Sequence, residues 1–159
     1  MKILILTSLA IVLLLIAYQD IKQRAIHVVL PVLLFAISLV YWSQSFIPLE
    51  QLLYSFGFVL LCLAAIVIQF SIKNRRLANP FNVSFGMGDV VFLIAVIPLF
   101  TFFQYLIFFV CGMLFSILAF GVSQLIKKNQ LIPLAGYLSV FLILLGVYSF
   151  INPNYFFIF

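Results

Sequence analysis

Acidic residues are almost missing from this chain. Its 159 residues include three, Asp20, Glu50 and Asp89, and charged residues of both signs make up 7%. A soluble domain carries about 25% charged residues, so no water-facing surface can be assembled from so few. Disorder is excluded by the same shortage, because 67% of the residues are hydrophobic and 20 are Phe. The mean hydropathy is +1.38. Histidine occurs once, at His27, and cysteine twice, at Cys62 and Cys111. Neither cysteine belongs to a CxxC pair or has a histidine neighbour. Both lie within apolar runs and read as buried free thiols, not a disulfide or a metal site. No metal and no cofactor is expected.

What fills the chain is apolar sequence in runs of helical length. Crossing a hydrocarbon core of roughly 30 Å takes about 20 helical residues. Six segments qualify or nearly so: Ile3–Gln19, Ala25–Trp42, Leu52–Phe70, one ending near Phe103, Tyr105–Ile126 and Leu131–Phe150. The expected class is an all-α, polytopic integral membrane protein with about six transmembrane helices, forming one domain over 1–159. Lys2 precedes a long apolar run, as in a signal peptide. No small-x-small cleavage site follows before Tyr18, Gln19 and Asp20, so a retained first helix is expected.

The net charge of +5 does not imply nucleic-acid binding. The basic residues form small clusters between apolar runs: Lys22 and Arg24; Lys73, Arg75 and Arg76; Lys127 and Lys128. Alternating the loops places these clusters, seven of the eight Lys and Arg residues, on one side. The positive-inside rule makes that side cytoplasmic, facing anionic headgroups. Both termini then lie outside, with Lys2 and with Glu50 in the Ser43–Gln51 loop, where Glu50 should be dispensable. The Asn152–Phe159 tail reads as an interfacial aromatic anchor.

The fourth run is too short. Val90–Phe103 is 14 residues, about 21 Å of helix. A start nearer Ser84 is expected, which would draw Gly86, Met87, Gly88 and Asp89 into the membrane edge. Asp20, at the end of the first helix, belongs to the same side. Ionisable groups at membrane depth are costly and tend to mark function. Packing the first helix on the fourth would bring both acids together.

Paired carboxylates suit peptide hydrolysis. Two close like charges cannot both ionise easily, so a proton is shared. One carboxylate can then accept a proton from an attacking water while the other donates to the carbonyl oxygen. The plainer alternative pairs Asp20 with Arg24 and makes Asp89 a helix cap. Gly86-Met87-Gly88-Asp89 adds weight to the first reading, since glycines let a backbone bend and let a substrate strand approach.

In these residues the chain resembles the type IV prepilin peptidase family, membrane aspartic proteases of the GxGD type. Asp20-Ile21-Lys22-Gln23-Arg24-Ala25-Ile26 is similar to the family's first motif, and Gly86-Met87-Gly88-Asp89 to its second. Ile132-Pro133-Leu134-Ala135-Gly136-Tyr137-Leu138 resembles a late I-P-x-x-P-x-L stretch, with Gly136 where the second Pro is usual. The resemblance implies catalysis by Asp20 and Asp89 at the cytoplasmic face of a bacterial or archaeal plasma membrane. It also implies prepilin-like membrane substrates cut just before their hydrophobic helix. The paired CxxC region of bifunctional relatives is missing, so the chain is similar to a short form without methyltransferase activity.

Departures from the family pattern are His27 and Val28 after the first motif, and Val91 two residues after Asp89. They remove polar groups near the dyad. A catalytically silent relative that serves pilus or secretion assembly is therefore the second reading. A transporter, the third, would place its acids nearer the midplane. Lys22, Arg24 and His27 are candidates for tuning the dyad or touching substrate: Arg24 one turn from Asp20, His27 seven residues on and so on the same face if the helix continues. Paired with Arg24, Asp20 would be the base. Pro31, Pro98 and Pro133 are expected to shape or kink helices.

Overall fold

The computed structural model describes residues 2–23, 27–74, 86–126 and 133–151. Arg24, Ser84, Lys127, Lys128, Ile132 and the Asn152–Phe159 tail, and with them the expectations placed on those residues, lie outside that range. Six α-helices follow in order: α1 Lys2–Gln23, α2 Val29–Gln44, α3 Leu49–Asn74, α4 Met87–Val96, α5 Phe102–Ile126 and α6 Leu134–Ile151. A 3-10 turn, Ile97–Leu99, continues α4. No strand occurs among the described residues. This is an all-α membrane protein.

The helices are apolar around their whole circumference, which in water would be a liability and in lipid is a requirement. Three contain stretches long and apolar enough to cross a bilayer alone: Leu4–Gln23, Leu49–Gln69 and Phe102–Gln124. The segments Val29–Gln44, Met87–Leu99 and Leu134–Ser149 are apolar but shorter. Helix ends fall beyond several expected positions. The first helix runs past Asp20 to Gln23, and the third runs from Leu49 to Asn74. Polar residues such as Gln19 and Gln69 do not stop a helix whose backbone bonds have no water to replace them.

Packing divides the helices into an inner and an outer group. Helix α1 packs against α2 and α6, and α2 packs against α4 and its turn. Leu13, Ile16, Leu34, Phe92, Val96 and Leu138 fill the space between them. Helix α5 lies against α6, where Phe108 and Phe115 meet Phe141 at ring distances of 6.1 and 5.3 Å. Helix α3 is the least enclosed of the long helices. Cys111 faces outward and Cys62 is half-buried, both free. The expectation of two buried thiols is therefore corrected: Gly112, not Cys111, is the residue of that turn that faces α6.

Helix α4 starts before the apolar run that opens at Val90, taking in Gly88 and Asp89. Gly86 is its N-cap, in extended conformation, and the helix starts at Met87. It also ends early. Ten α residues and three 3-10 residues give about 21 Å, short of a roughly 30 Å core. Pro98 explains the break, since it has no N–H to offer the Ile94 carbonyl. The Ile97 N–H turns back to that carbonyl instead. Side chains from neighbouring helices answer carbonyls of this last turn: Tyr105 Oη donates to Leu93 O at 3.1 Å, and Ser38 Oγ to Ala95 O at 2.7 Å. The Thr101 N–H donates to Gln104 Oε1 at 3.0 Å before α5 begins.

Prolines mark ends more than bends. Pro31 sits in the first turn of α2 and Pro133 immediately precedes α6, positions where a missing N–H leaves nothing unmade. The short turn from α2 to α3 is closed by Trp42, whose Nε1 donates to Ile47 O at 3.0 Å. Glu50 lies in the first turn of α3, complementing the positive end of that helix.

Candidate active site

Three helix ends from distant parts of the sequence meet at one point. Asp20 lies in the last turn of α1 and is buried, 5% exposed. Asp89 is the third residue of α4. Helix α6 supplies what lies between them. Its first turn follows Pro133, whose carbonyl accepts the Tyr137 N–H at 3.2 Å. The N–H groups of Leu134, Ala135 and Gly136 therefore precede the first intrahelical bond.

Two of those groups hold the acids. The Ala135 N–H donates to Asp89 Oδ1 at 2.9 Å, and the Gly136 N–H donates to Asp20 Oδ2 at 2.6 Å. Neighbouring amides of one helix turn thus bind the two carboxylates. The positive end of the α6 dipole adds to the attraction. Packing is tight here: Ala135, Leu138 and Ser139 are fully buried, and Ser139 Oγ donates back to Gly136 O at 2.8 Å.

The glycine run before Asp89 has a more specific role than flexibility. Gly86 has φ −69° and ψ 128°, which any residue can adopt. What it provides is space, since a Cβ there would lie 3.0 Å from Asp89 Oδ2. The Asp89 N–H closes the turn onto Gly86 O at 3.0 Å. Met87 points outward and Gly88 is half-buried. The helix-capping reading of Asp89 is thus true in an altered form. The carboxylate sits in the first turn of its own helix and caps α6 as well.

The two described tuning candidates, Lys22 and His27, do not join the acids. Lys22 is exposed and turned to Tyr18, donating to its hydroxyl at 2.5 Å with the ammonium 4.9 Å from the ring centre. Helix α1 ends at Gln23, so His27 does not continue the helical face of Asp20. It is exposed, and its backbone N–H donates to Gln19 Oε1 at 3.3 Å. Arg24 is outside the described residues. The sequence reading missed the amides of Ala135 and Gly136. Pro133 was the available signal, because proline just before an apolar run marks a helix start and so a turn of unclaimed donors.

The arrangement offers two adjacent carboxyl groups in a largely apolar setting, a geometry able to hold one proton between them. No curated protein and no solved structure gives a match to the chain. The sequence model of the type IV leader peptidase family matches residues 7–122, a stretch that contains both acids and ends before α6. With most of its length matched, the chain belongs to the type IV leader peptidase family.

Proposed function

We propose that the protein is a membrane aspartic endopeptidase that removes leader peptides from prepilin-like proteins. Asp20 and Asp89 form its catalytic dyad. The observation that carries this reading is the pairing of the two carboxylates on adjacent amides of α6. Acids this close in an apolar site share a proton. The ionised member takes a proton from water as the oxygen attacks the scissile carbonyl. The protonated member donates to the carbonyl oxygen. Collapse of the tetrahedral intermediate then breaks the C–N bond, and the departing amine takes up a proton. No covalent enzyme intermediate is needed.

Lys22 is at the same end of α1 as Asp20, and Glu50 begins α3 beyond the opposite end of α2. Taken with the positive-inside rule, this supports a reading in which the dyad faces the cytoplasm and both termini lie outside, in the plasma membrane of a bacterium or archaeon. There a substrate anchored by its own hydrophobic helix would present the junction between leader and helix.

Purified protein in lipid, given a prepilin with its leader, tests the reading. Wild type and Glu50→Gln should cleave equally. Asp20→Asn and Asp89→Asn should each lose about 10²–10⁴-fold or more, the range of general acid–base catalysis. Cleavage that survives either substitution rules out the dyad. Failure of wild type to cut any leader, together with normal pilus assembly by both variants, would establish the silent assembly role instead.

A further inference from the structure

At residue 136, α6 lies close against α1. A Cβ built on Gly136 would stand 3.0 Å from Asp20 Oδ2, 3.1 Å from Asp20 Cβ and 3.2 Å from Ile21 Cγ1. The carboxylate oxygen could swing aside. Asp20 Cβ could not, because it is fixed to the α1 backbone, so relief would require one helix to move from the other. The same residue's N–H donates to Asp20 Oδ2 at 2.6 Å. Any such movement would stretch that bond while leaving the Ala135 bond to Asp89 on a different helix pair.

We propose that Gly136 is a positioning residue of the dyad. Its missing side chain lets the first turn of α6 lie against α1 closely enough for its N–H to hold Asp20 beside Asp89. The functional consequence rests on the peptidase reading; the positioning itself does not. A change of a few tenths of an ångström to an ångström at reacting groups is enough to lower turnover strongly while substrate binding persists. Gly146 is the internal control. It lies on the same helix, and a Cβ there would meet nothing within 4 Å. Helix propensity favours alanine over glycine at both positions, so any loss confined to position 136 is a matter of placement.

The test compares Gly136→Ala with Gly146→Ala in the full chain, reconstituted in lipid. The chain has two aspartates, so labelling with ¹³Cγ aspartate gives two carboxyl signals, assigned through Asp20→Asn. Gly136→Ala should lower kcat about tenfold to a hundredfold, hold KM within about twofold and move the Asp20 signal. Gly146→Ala should change none of these. Wild-type kcat and an unmoved Asp20 signal in Gly136→Ala overturn the proposal. Should Gly136→Ala not fold, the wild-type chain carries the test. With ¹⁵N-glycine, the Gly136 amide signal must shift when Asp20→Ala is introduced and stay in place with Glu50→Gln; an unmoved signal in Asp20→Ala overturns the proposal. If wild type cuts no leader yet these signals move as expected, the peptidase reading fails and the positioning stands.

Discussion

Asp20 and Asp89 share one helix end: they accept hydrogen bonds from the neighbouring amides of Gly136 and Ala135, at 2.6 and 2.9 Å. Each carboxylate is therefore both a candidate catalyst and a cap. Stability and chemistry at this point draw on the same atoms, and substitutions can separate them.

Replacing either acid by alanine should destabilise the fold as well as remove activity. The freed amide lies where little water reaches, and leaving a buried donor without a partner costs about 1–3 kcal/mol. Asparagine retains an acceptor oxygen, so Asp20→Asn and Asp89→Asn should unfold at temperatures between those of wild type and the alanine variants. Thermal unfolding in detergent, set beside cleavage assays, checks the order. Equal midpoints for Asn and Ala variants would remove the capping role.

The contact between α5 and α6 depends on Gly112. A Cβ there would come 2.6 Å from Leu138 Cδ2 and 3.5 Å from Phe141 Cδ1. Leu138 is fully buried and has few rotamers to escape into. Gly112→Val should cost about 1–3 kcal/mol, as overpacking does, with Gly112→Ala milder because only the tip of Leu138 must turn. Because Leu138 lies within a turn of the dyad-binding amides, cleavage should fall with stability in this series. Midpoints and kcat measured on the same preparations decide it.

The broken end of α4 should respond differently. Tyr105→Phe removes the donor to Leu93 O, and Ser38→Ala the donor to Ala95 O. Interhelical hydrogen bonds in membranes average about 0.6 kcal/mol and reach about 1.7. Each substitution should lower the unfolding free energy by an amount in that range and the unfolding midpoint with it. Both lie toward the end of α4 opposite Asp89, so kcat should hold within about twofold, a limit set by the absence of lost transition-state contacts. A variant that keeps its midpoint would show that lipid-phase packing, not the hydrogen bond, secures that turn.

Orientation is open to labelling. With Cys62→Ala and Cys111→Ala as background, Phe46→Cys in the turn between α2 and α3 and Lys22→Cys at the end of α1 should react from opposite sides of intact cells. Phe46 is fully exposed and Lys22 exposed, so both thiols are accessible to an impermeant maleimide. External labelling of Phe46→Cys alone is expected. External labelling of Lys22→Cys would invert the topology and move the dyad to the outer face.

The class, and the meeting of Asp20 with Asp89, were legible in the sequence. Too few charges to face water leaves only lipid, and the scarcity of acids singles out Asp20 and Asp89. Helix ends were less legible. Hydropathy drops at Gln19 and rises again beyond it, but a backbone without water keeps its bonds through isolated polar residues, so α1 runs on to Gln23. Whether His27 shares the face of Asp20 was illegible for a related reason. Spacing along a helix has meaning only while the helix lasts, and α1 ends before that residue.

What the sequence by itself determined was an all-helical chain for the bilayer and two acids assigned to the same end of it. Composition and the sidedness of basic clusters are sufficient for that, because both follow from transfer energies of individual residues. Tertiary structure alone decided what lies between the acids. The donors are peptide N–H groups, which every residue but proline possesses; Pro133 marks the turn that carries them, but no pattern of side chains says which groups they meet. Only the packing of α6 against α1 and α4 shows that the amides of Ala135 and Gly136, unclaimed within their own helix, are the ones that hold Asp89 and Asp20.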